Sequence, residues 1–252
     1  MIVSIITPIY NSEKYIFETY TSICNQTIID WEWILVDDNS FDNTIEIIKG
    51  FAINDDRVKI YKNSGAKGPG NCRNIGIFNA KGRYLTFIDS DDYWFPNFLE
   101  KSISTIIEEN CAFVFSSYER WDENLEVKFN SFVVPKKMTY NKLLYTCPIS
   151  CLTAFIDIEK LGKKFMSDLP KRQDYGLWLD YLKETNYAIG IIEPLAKYRI
   201  RKGSLSSNKA TLIKYQFLVY YKQQNLNFIY SIFYTFSWAY YGFFKYNGIR
   251  RN

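Results

Sequence analysis

Short apolar segments alternate with longer segments of helical periodicity along the first hundred residues, and this alternation constrains the fold more than any other feature. The apolar segments, which we predict to be β-strands, are residues 2–7, 33–36, 57–61 and 83–88. The segments between them have apolar side chains at helical spacing, so we predict helices over 13–25, 42–53 and 71–80. Strands that alternate with such helices form βαβ units around a largely parallel sheet. The predicted fold class is therefore α/β.

The rest of the chain continues this pattern less regularly. We predict a helix after Asn97 and strands over 111–118, 151–156 and 189–198, with a polar, irregular segment over 119–142. We also expect Pro8 to end the first strand, and Asn11 with Ser12 to cap the first helix. The natural division is one α/β domain followed by a helical, aromatic-rich tail.

Acidic side chains follow directly after two of the predicted strands. Asp37 and Asp38 follow the second strand, and Asp89, Asp91 and Asp92 follow the fourth. In open α/β sheets, ligands bind just beyond the carboxyl ends of the strands. Asp89 and Asp91 can present oxygens to a hard divalent cation such as Mg²⁺ or Mn²⁺. The alternative is a helix N-cap cluster, because Pro96 can open a helix and aspartate is favoured at its start.

The composition excludes several kinds of catalytic site. The chain has no histidine, so it has neither a Ser-His-Asp site nor a histidine-ligated zinc, and acid–base chemistry falls to Asp, Glu, Lys or Tyr. The glycine-rich segment 65–70 is followed by Asn71 and Cys72, which rules out a P-loop. The five cysteines lack paired spacing, and the chain starts directly with a strand. These features predict reduced thiols in a cytosolic protein without a signal peptide.

Two polar segments in the second half are candidates for chemistry. Asp174 lies where a polar turn leads into a predicted helix, and a helix N-terminus favours an ionised carboxylate that could act as a base. Simple N-capping is the alternative for Asp174. Residues 199–207 combine clustered cations with Gly and Ser, which suits a mobile loop that closes over phosphate or, alternatively, a solvated turn.

The last part of the chain is basic and aromatic. After Glu193 there are ten basic residues and no acidic one, and residues 223–244 contain no charged side chain. An aromatic, cationic segment of this kind is typical of helices that lie on an anionic membrane surface. The alternatives are a helical subdomain that packs on the catalytic domain or on another subunit, and a true membrane span. Nucleic-acid binding is a weaker interpretation of the same positive charge, because the aromatic residues are too concentrated for a surface that follows a phosphate backbone.

A series of short motifs makes the chain resemble a known family. The motifs are Ile5-Ile-Thr-Pro-Ile-Tyr-Asn11, Leu35-Val-Asp-Asp-Asn-Ser40, Asp42-Asn-Thr44, Asn63-Ser-Gly65, Arg73-Asn-Ile-Gly76, Gly82-Arg-Tyr84 and Phe87-Ile-Asp-Ser-Asp-Asp92. They occur in the order seen in family 2 glycosyltransferases, which are inverting, nucleotide-sugar-dependent enzymes with the GT-A fold. The resemblance is strong over residues 2–98 and weaker to about residue 207.

The resemblance implies a role for each candidate residue. It assigns the nucleotide to Thr7, Tyr10 and Asp38, which would hold the base and ribose, and to Arg73 and Asp89. The candidates for the diphosphate are Arg199 and Arg201. Asp91 falls where the family holds its metal ion, Mn²⁺ or Mg²⁺, and Asp174 matches the general base. Arg201 stands where many relatives carry a histidine that assists the metal or the diphosphate.

The expected protein is thus a GT-A enzyme with a catalytic domain over residues 1–207 and a tail over 208–252. Residues 1–98 would bind the nucleotide sugar and residues 99–207 the acceptor. We expect transfer from a UDP-hexose or UDP-N-acetylhexosamine to a lipid-linked or oligosaccharide acceptor in cell-surface polysaccharide biosynthesis. The alternatives are transfer to polyprenyl phosphate itself and a catalytically idle, membrane-bound assembly partner. The expected location is the inner face of the cell membrane, with no nucleic-acid partner and a homo-oligomer left open.

Overall fold

Within residues 2–201 and 209–247, which the computed structural model describes, ten strands form one mixed sheet. The strands are β1 (Val3–Ile9), β2 (Trp31–Asp37), β3 (Val58–Lys62), β4 (Tyr84–Phe87), β5 (Tyr93–Trp94), β6 (Phe113–Trp121), β7 (Lys128–Phe132), β8 (Lys137–Met138), β9 (Phe155–Asp157) and β10 (Ala188–Arg199). The helices are α1 (Ile16–Cys24), α2 (Thr44–Asn54), α3 (Pro69–Asn79), α4 (Phe98–Glu108), α5 (Tyr140–Tyr145), α6 (Ile158–Leu161), α7 (Gln173–Glu184), α8 (Lys209–Leu218) and α9 (Phe228–Asn247). A 3₁₀ turn at Cys151–Thr153 and a π-helical turn at Val219–Gln223 complete the list.

The sheet order is β3-β2-β1-β4-β9-β6-β10-β5, with β7 beside β6 and β8 beside β10. The first four strands are parallel to one another, and β10 is parallel to β6. Between these two groups, β9 is antiparallel to both of its neighbours. The longest ladders are parallel, which confirms the α/β prediction.

The sheet is buried on both sides, as parallel sheets are. All seven residues of β2 are buried, and two separate apolar clusters pack on the two sides of the sheet. Helix α3 crosses β1 so closely that a Cβ added at Gly76 would lie 2.5 Å from Cγ2 of Ile6. The glycine therefore lets α3 approach the strand, and the first turns of α3 come to lie at the carboxyl edge of the sheet.

Three local predictions were wrong. Strand β1 continues through Pro8 to Ile9. The pairing of β1 with β4 ends at Ile6, so Pro8 has a neighbouring strand on only one side. A proline, which has no backbone N–H to donate, is tolerated at such an edge position. Helix α1 begins only at Ile16, and the hydroxyl of Ser12 lies 2.7 Å from that of Ser90 instead of capping the helix. The segment 151–156 is a 3₁₀ turn followed by the short strand β9, not one strand.

The tail helices, by which we mean α8, the π-helical turn and α9, pack on α5 and α7. Tyr220 of the π-helical turn is fully buried, and its hydroxyl donates to the carbonyl of Leu144 at 2.6 Å and lies 2.9 Å from the hydroxyl of Tyr175. The predicted boundary at residue 207 lies outside the described residues, as do residues 202–207 of the predicted phosphate loop. None of the helices in the described part of the chain has the length and apolar character that a membrane crossing needs.

Candidate active site

The acidic turn, residues 89–92, follows β4 at the carboxyl edge of the sheet. The backbone N–H of Ile88 still donates to the carbonyl of Ile6, so the strand holds the turn in place directly beyond its end. Each Asp-x-Asp carboxylate then pairs with an arginine. Asp89 lies 2.5 Å from Nη2 of Arg73, and Oδ2 of Asp91 lies 2.5 Å from Nε of Arg201.

Burial and mutual repulsion disfavour the charged form of two carboxyl groups in this turn. Burial and the neighbouring Asp89 raise the pKa of Asp91, although Arg201 acts in the opposite direction. Burial raises the pKa of Asp92 well above its usual range, and the charges of Asp91 and Asp89 add to the effect. The Asp92 carboxylate also accepts a hydrogen bond from the backbone N–H of Arg199 at 3.0 Å. A cation bound here would offset the repulsion between these carboxylates.

Arg73 lies in the second turn of α3 and is almost completely buried. Burial opposes its charge, but Cys151, Asp89 and Asp174 outweigh that effect and raise the pKa of the guanidinium. Its Nε atom is buried without a hydrogen-bond partner in the structure. A charged donor in this position suits a negatively charged ligand oxygen at the edge of the sheet.

Asp174 lies in the first turn of α7, and this turn meets the start of α3. A Cβ added at Gly70 would lie 3.0 Å from the side chain of Gln173, and Asp174 acts electrostatically on Arg73. The N-cap residue of α7 is Arg172, so the simple N-capping role for Asp174 is wrong. The fold therefore pairs Arg73 with Asp89 of the acidic turn and places Arg73 within the electrostatic influence of Asp174.

The other end of the site surrounds the glycine-rich loop. Asp38 is buried and accepts hydrogen bonds from Nδ2 of Asn63 at 2.7 Å and from the backbone N–H of Gly68 at 2.9 Å, so it orders the loop that leads into α3. Tyr10 is 44% exposed, and the ammonium of Lys67 lies 4.3 Å from its ring centroid. Tyr10 therefore offers an accessible aromatic surface at this edge, to which a nucleotide base could stack.

Two predicted contact residues are not presented to this site. Thr7 is fully buried, and its hydroxyl accepts a hydrogen bond from the indole of Trp33 at 2.8 Å, so its side chain belongs to the interior. Arg199 is also buried, and its guanidinium donates to the Glu18 carboxylate, to the Glu123 carbonyl and to the Asp91 carbonyl. A diphosphate role fits Arg199 poorly, because these contacts hold its side chain within the protein.

Sequence reasoning missed several residues of the site. Cys151 contributes to the electrostatic environment of Arg73, and Glu18 binds Arg199 from a position 181 residues away in sequence. Ser90 contacts Ser12, and Gln173 fills the space above Gly70. No local signal marks these contacts, because all of them depend on how separate elements pack.

Comparison with known proteins identifies the family. The sequence profile described as "Glycosyl transferase family 2" matches residues 4–157. The chain belongs to this family. It is a glycosyltransferase, as the motif series predicts, and the matched range includes β1 to β4, the acidic turn and Arg73.

Two curated relatives cover most of the chain. The chain is 41% identical over 216 residues to the Escherichia coli protein "UDP-Glc:alpha-D-GlcNAc-diphosphoundecaprenol beta-1,3-glucosyltransferase WfgD", covering 85% of this chain and 83% of that protein. It is 37% identical over 229 residues to the "Putative teichuronic acid biosynthesis glycosyltransferase TuaG" of Bacillus subtilis (strain 168), covering 90% of both.

Solved structures share the fold. S. aureus TarS 1-349 in complex with UDP-GlcNAc matches with a TM-score of 0.71 and 23% identity, over 87% of this chain. The chain spans 65% of that structure. The mannosyltransferase PcManGT from Pyrobaculum calidifontis, in complex with GDP-Man and Mn²⁺, matches with a TM-score of 0.60 and 16% identity, over 85% of this chain and 61% of that one. These similarities confirm the GT-A fold.

Proposed function

We propose that the protein is an inverting glycosyltransferase that moves a hexose from a UDP-hexose to a lipid-linked saccharide in cell-surface polysaccharide biosynthesis. The names of the two curated relatives support a role in surface polysaccharides, and the relative with 41% identity uses UDP-Glc and an acceptor on diphosphoundecaprenol. The observation that carries the proposal is the buried Arg73 guanidinium, which pairs with Asp89 of the acidic turn at 2.5 Å and on which Asp174 acts electrostatically. Glucose is therefore the first donor sugar to test.

The donor would lie along the edge from Tyr10 to the acidic turn. The uracil ring would stack near Tyr10, beside the loop that Asp38 orders. The diphosphate would reach Arg73 and Arg201, which already lie against the carboxylates of the acidic turn. As the diphosphate leaves, these fixed cations stabilise the negative charge that develops on it.

The acidic turn also fits a divalent metal ion. No group of three Cys, His, Asp or Glu side chains within residues 2–201 and 209–247 could hold a metal alone, so Asp91 and Asp89 would share it with diphosphate oxygens. Carboxylate oxygens are the ligands that Mg²⁺ and Mn²⁺ prefer, and the crowded negative charge around Asp91 favours a cation. When bound, such an ion offsets the charge of the leaving diphosphate.

Asp174 would remove the proton from the attacking hydroxyl of the acceptor, which would approach from the side opposite the leaving diphosphate. General-base catalysis contributes about 10²–10⁴-fold to rates. Asp174→Asn keeps the size and position of the side chain but cannot take the proton. We expect it to lower transfer of labelled glucose from UDP-glucose to a GlcNAc-diphosphate lipid by about 10²–10⁴-fold. Full activity of Asp174→Asn would remove the residue from the mechanism.

The same assay separates the alternatives. Transfer to polyprenyl phosphate alone, with no saccharide present, would favour the polyprenyl-phosphate enzyme. A protein that binds UDP but transfers no sugar to either acceptor from a panel of UDP-sugars would favour an idle assembly partner. The electrostatic effect of Asp174 on Arg73 supports an active enzyme, because an idle partner has no need of a base near the diphosphate site.

The tail supports attachment to the inner face of the cell membrane. Its last helix presents an outer stripe of apolar side chains at helical spacing, formed by Ile229, Phe233, Phe236 and Tyr240, which are 51–76% exposed. The opposite side of α9 carries Ser231 and Thr235, which are buried. The ten basic residues and no acidic one after position 193 give the end of the chain a positive charge that complements anionic lipid headgroups.

Vesicle sedimentation tests the attachment. The wild-type protein is expected to sediment with phosphatidylglycerol vesicles, and Ile229→Ser combined with Phe236→Ser is expected to abolish most of the binding. Phe78→Ser is the matched control, because Phe78 is 72% exposed but lies on α3, away from the tail. If the double variant binds the vesicles as well as the wild type does, the outer stripe is not the membrane surface.

A further inference from the structure

We propose that the tail helices hold the catalytic base in place, and that Arg172 is the positioning residue through which they act. The proposal rests on the proposed role of Asp174. It concerns a different part of the molecule, because the side chain of Arg172 contacts the tail helices. Its contacts are with the tail and with its own helix.

The backbone of Arg172 is unusual. Arg172 is the N-cap of α7 and has left-handed dihedral angles, with φ at 68° and ψ at 18°. Its carbonyl accepts the hydrogen bond from the N–H of Gly176 at 3.0 Å, so the first turn of α7 starts from this strained residue. A left-handed backbone is unfavourable for a residue that carries a side chain, and it persists where the surrounding structure holds it.

The side chain of Arg172 bridges both tail helices. Its Nε donates to Oε1 of Gln216 on α8 at 2.7 Å, and Gln216 is fully buried. Its guanidinium carbon lies 4.5 Å from the ring centroid of Trp238 on α9 and 5.2 Å from that of Tyr175. A planar guanidinium can stack and donate at the same time, which a lysine cannot do. The tail contacts therefore hold Arg172 in the conformation from which α7 begins.

The tail also contacts α7 further along the same side. A Cβ added at Gly176 would lie 2.1 Å from Oε1 of Gln223, so the π-helical turn packs directly on the helix backbone. Asp180 accepts hydrogen bonds from Gln223 at 2.7 Å and from Gln224 at 2.8 Å. Arg172, Gly176 and Asp180 are four residues apart and so share one side of α7. The tail thus fixes this side over two turns.

The opposite side of α7 is held by the core. Trp178 packs against Phe113 of β6, with ring centroids 5.5 Å apart, and against Phe87 of β4 at 5.9 Å. The helix is therefore clamped between the sheet and the tail, and Asp174 projects from its first turn. A misplacement of about 1 Å in a catalytic group can cost about 100-fold in rate. The tail contacts restrain the first turn of α7, which is the end of the helix that carries Asp174.

A double-mutant cycle tests the proposal. Arg172→Gly keeps the left-handed backbone without strain, because glycine adopts it freely, and removes the bridge to the tail. We expect kcat to fall about 10- to 100-fold while UDP affinity stays unchanged. In the Asp174→Asn background the same substitution is expected to have no further effect, because a positioning residue has nothing left to position.

A second substitution and a control complete the experiment. Gln216→Leu breaks the bridge from the tail side and is expected to reproduce the fall in kcat if Arg172→Gly fails to fold. Lys214→Ala, an exposed cation on the same helix, controls for the loss of positive charge and is expected to leave kcat unchanged. The proposal is overturned if neither bridge variant lowers kcat, or if the loss is the same in both backgrounds. Full activity of Asp174→Asn alone would instead overturn the proposed function.

Discussion

Two glycine-to-alanine substitutions in helices are expected to change stability in opposite directions. Gly50 in α2 and Gly76 in α3 both lie in helix interiors, so alanine gains about 1 kcal/mol of helix propensity at each. At Gly50 the new methyl group meets nothing within 4 Å. At Gly76 it would lie 2.5 Å from Cγ2 and 3.1 Å from Cγ1 and Cδ1 of the fully buried Ile6.

The magnitude follows from these distances. Overpacking a core costs about 1–3 kcal/mol, so Gly76→Ala is expected to be neutral or to lower the free energy of unfolding by up to about 2 kcal/mol. Gly50→Ala is expected to raise the free energy of unfolding by about 1 kcal/mol. Because the propensity gain is common to both, the difference of about 1–3 kcal/mol between the variants measures the close approach of α3 to β1.

Urea unfolding of the two variants and the wild type provides the free energies, and UDP titration provides the functional consequence. Relief of the clash moves α3 away from β1 and moves Arg73 with it, so UDP affinity is expected to fall in Gly76→Ala and to stay unchanged in Gly50→Ala. Equal stabilisation by both substitutions would refute the reasoning, because it would mean that α3 does not depend on a glycine at the crossing.

Two further substitutions test the electrostatics of the acidic turn. Burial and neighbouring carboxylates raise the pKa of Asp92, so the folded protein keeps this proton at a pH at which the unfolded chain has lost it. The variant Asp92→Asn keeps an acceptor for the N–H of Arg199. The free energy of unfolding of the wild type, relative to that of this variant, is therefore expected to decline as pH rises above the ordinary aspartate pKa of about 4. Urea unfolding at several pH values measures this difference. A wild type that gains stability over the variant with rising pH would contradict this assignment. Arg201→Ala is expected to weaken UDP binding about tenfold and to leave uridine binding unchanged, as measured by calorimetry, since charge-assisted hydrogen bonds to phosphate are lost. Equal losses for UDP and uridine would place Arg201 away from the diphosphate.

Local sequence patterns were sufficient for the order of strands and helices in residues 2–98, although not for the end of β1 or the start of α1. The strands before the acidic turn are short and apolar, and their parallel order follows from the helices between them, so the position of Asp89 and Asp91 at one sheet edge could be predicted. Asp174 was predicted at a helix start, but its electrostatic effect on Arg73 depends on the packing of the start of α7 against the start of α3.

The contacts of a side chain could not be predicted where its partner is distant in sequence. Arg199 has the sequence context of a phosphate ligand, yet its guanidinium is taken up by Glu18 and by two backbone carbonyls. Thr7 lies in a motif typical of nucleotide binding, yet its hydroxyl contacts Trp33. The role of Arg172 was also not predictable, because its left-handed conformation depends on helices about 40 to 65 residues later in the chain.

The central claim is that the acidic turn binds the donor while Asp174 acts on the acceptor. Calorimetric titration of UDP into the wild type, Asp91→Ala and Asp174→Asn, each with and without Mn²⁺, tests this division most directly. We expect the wild type and Asp174→Asn to bind UDP equally and more tightly with Mn²⁺, and Asp91→Ala to lose the effect of the ion. Loss of UDP binding in Asp174→Asn, or an unchanged response to Mn²⁺ in Asp91→Ala, would contradict the account.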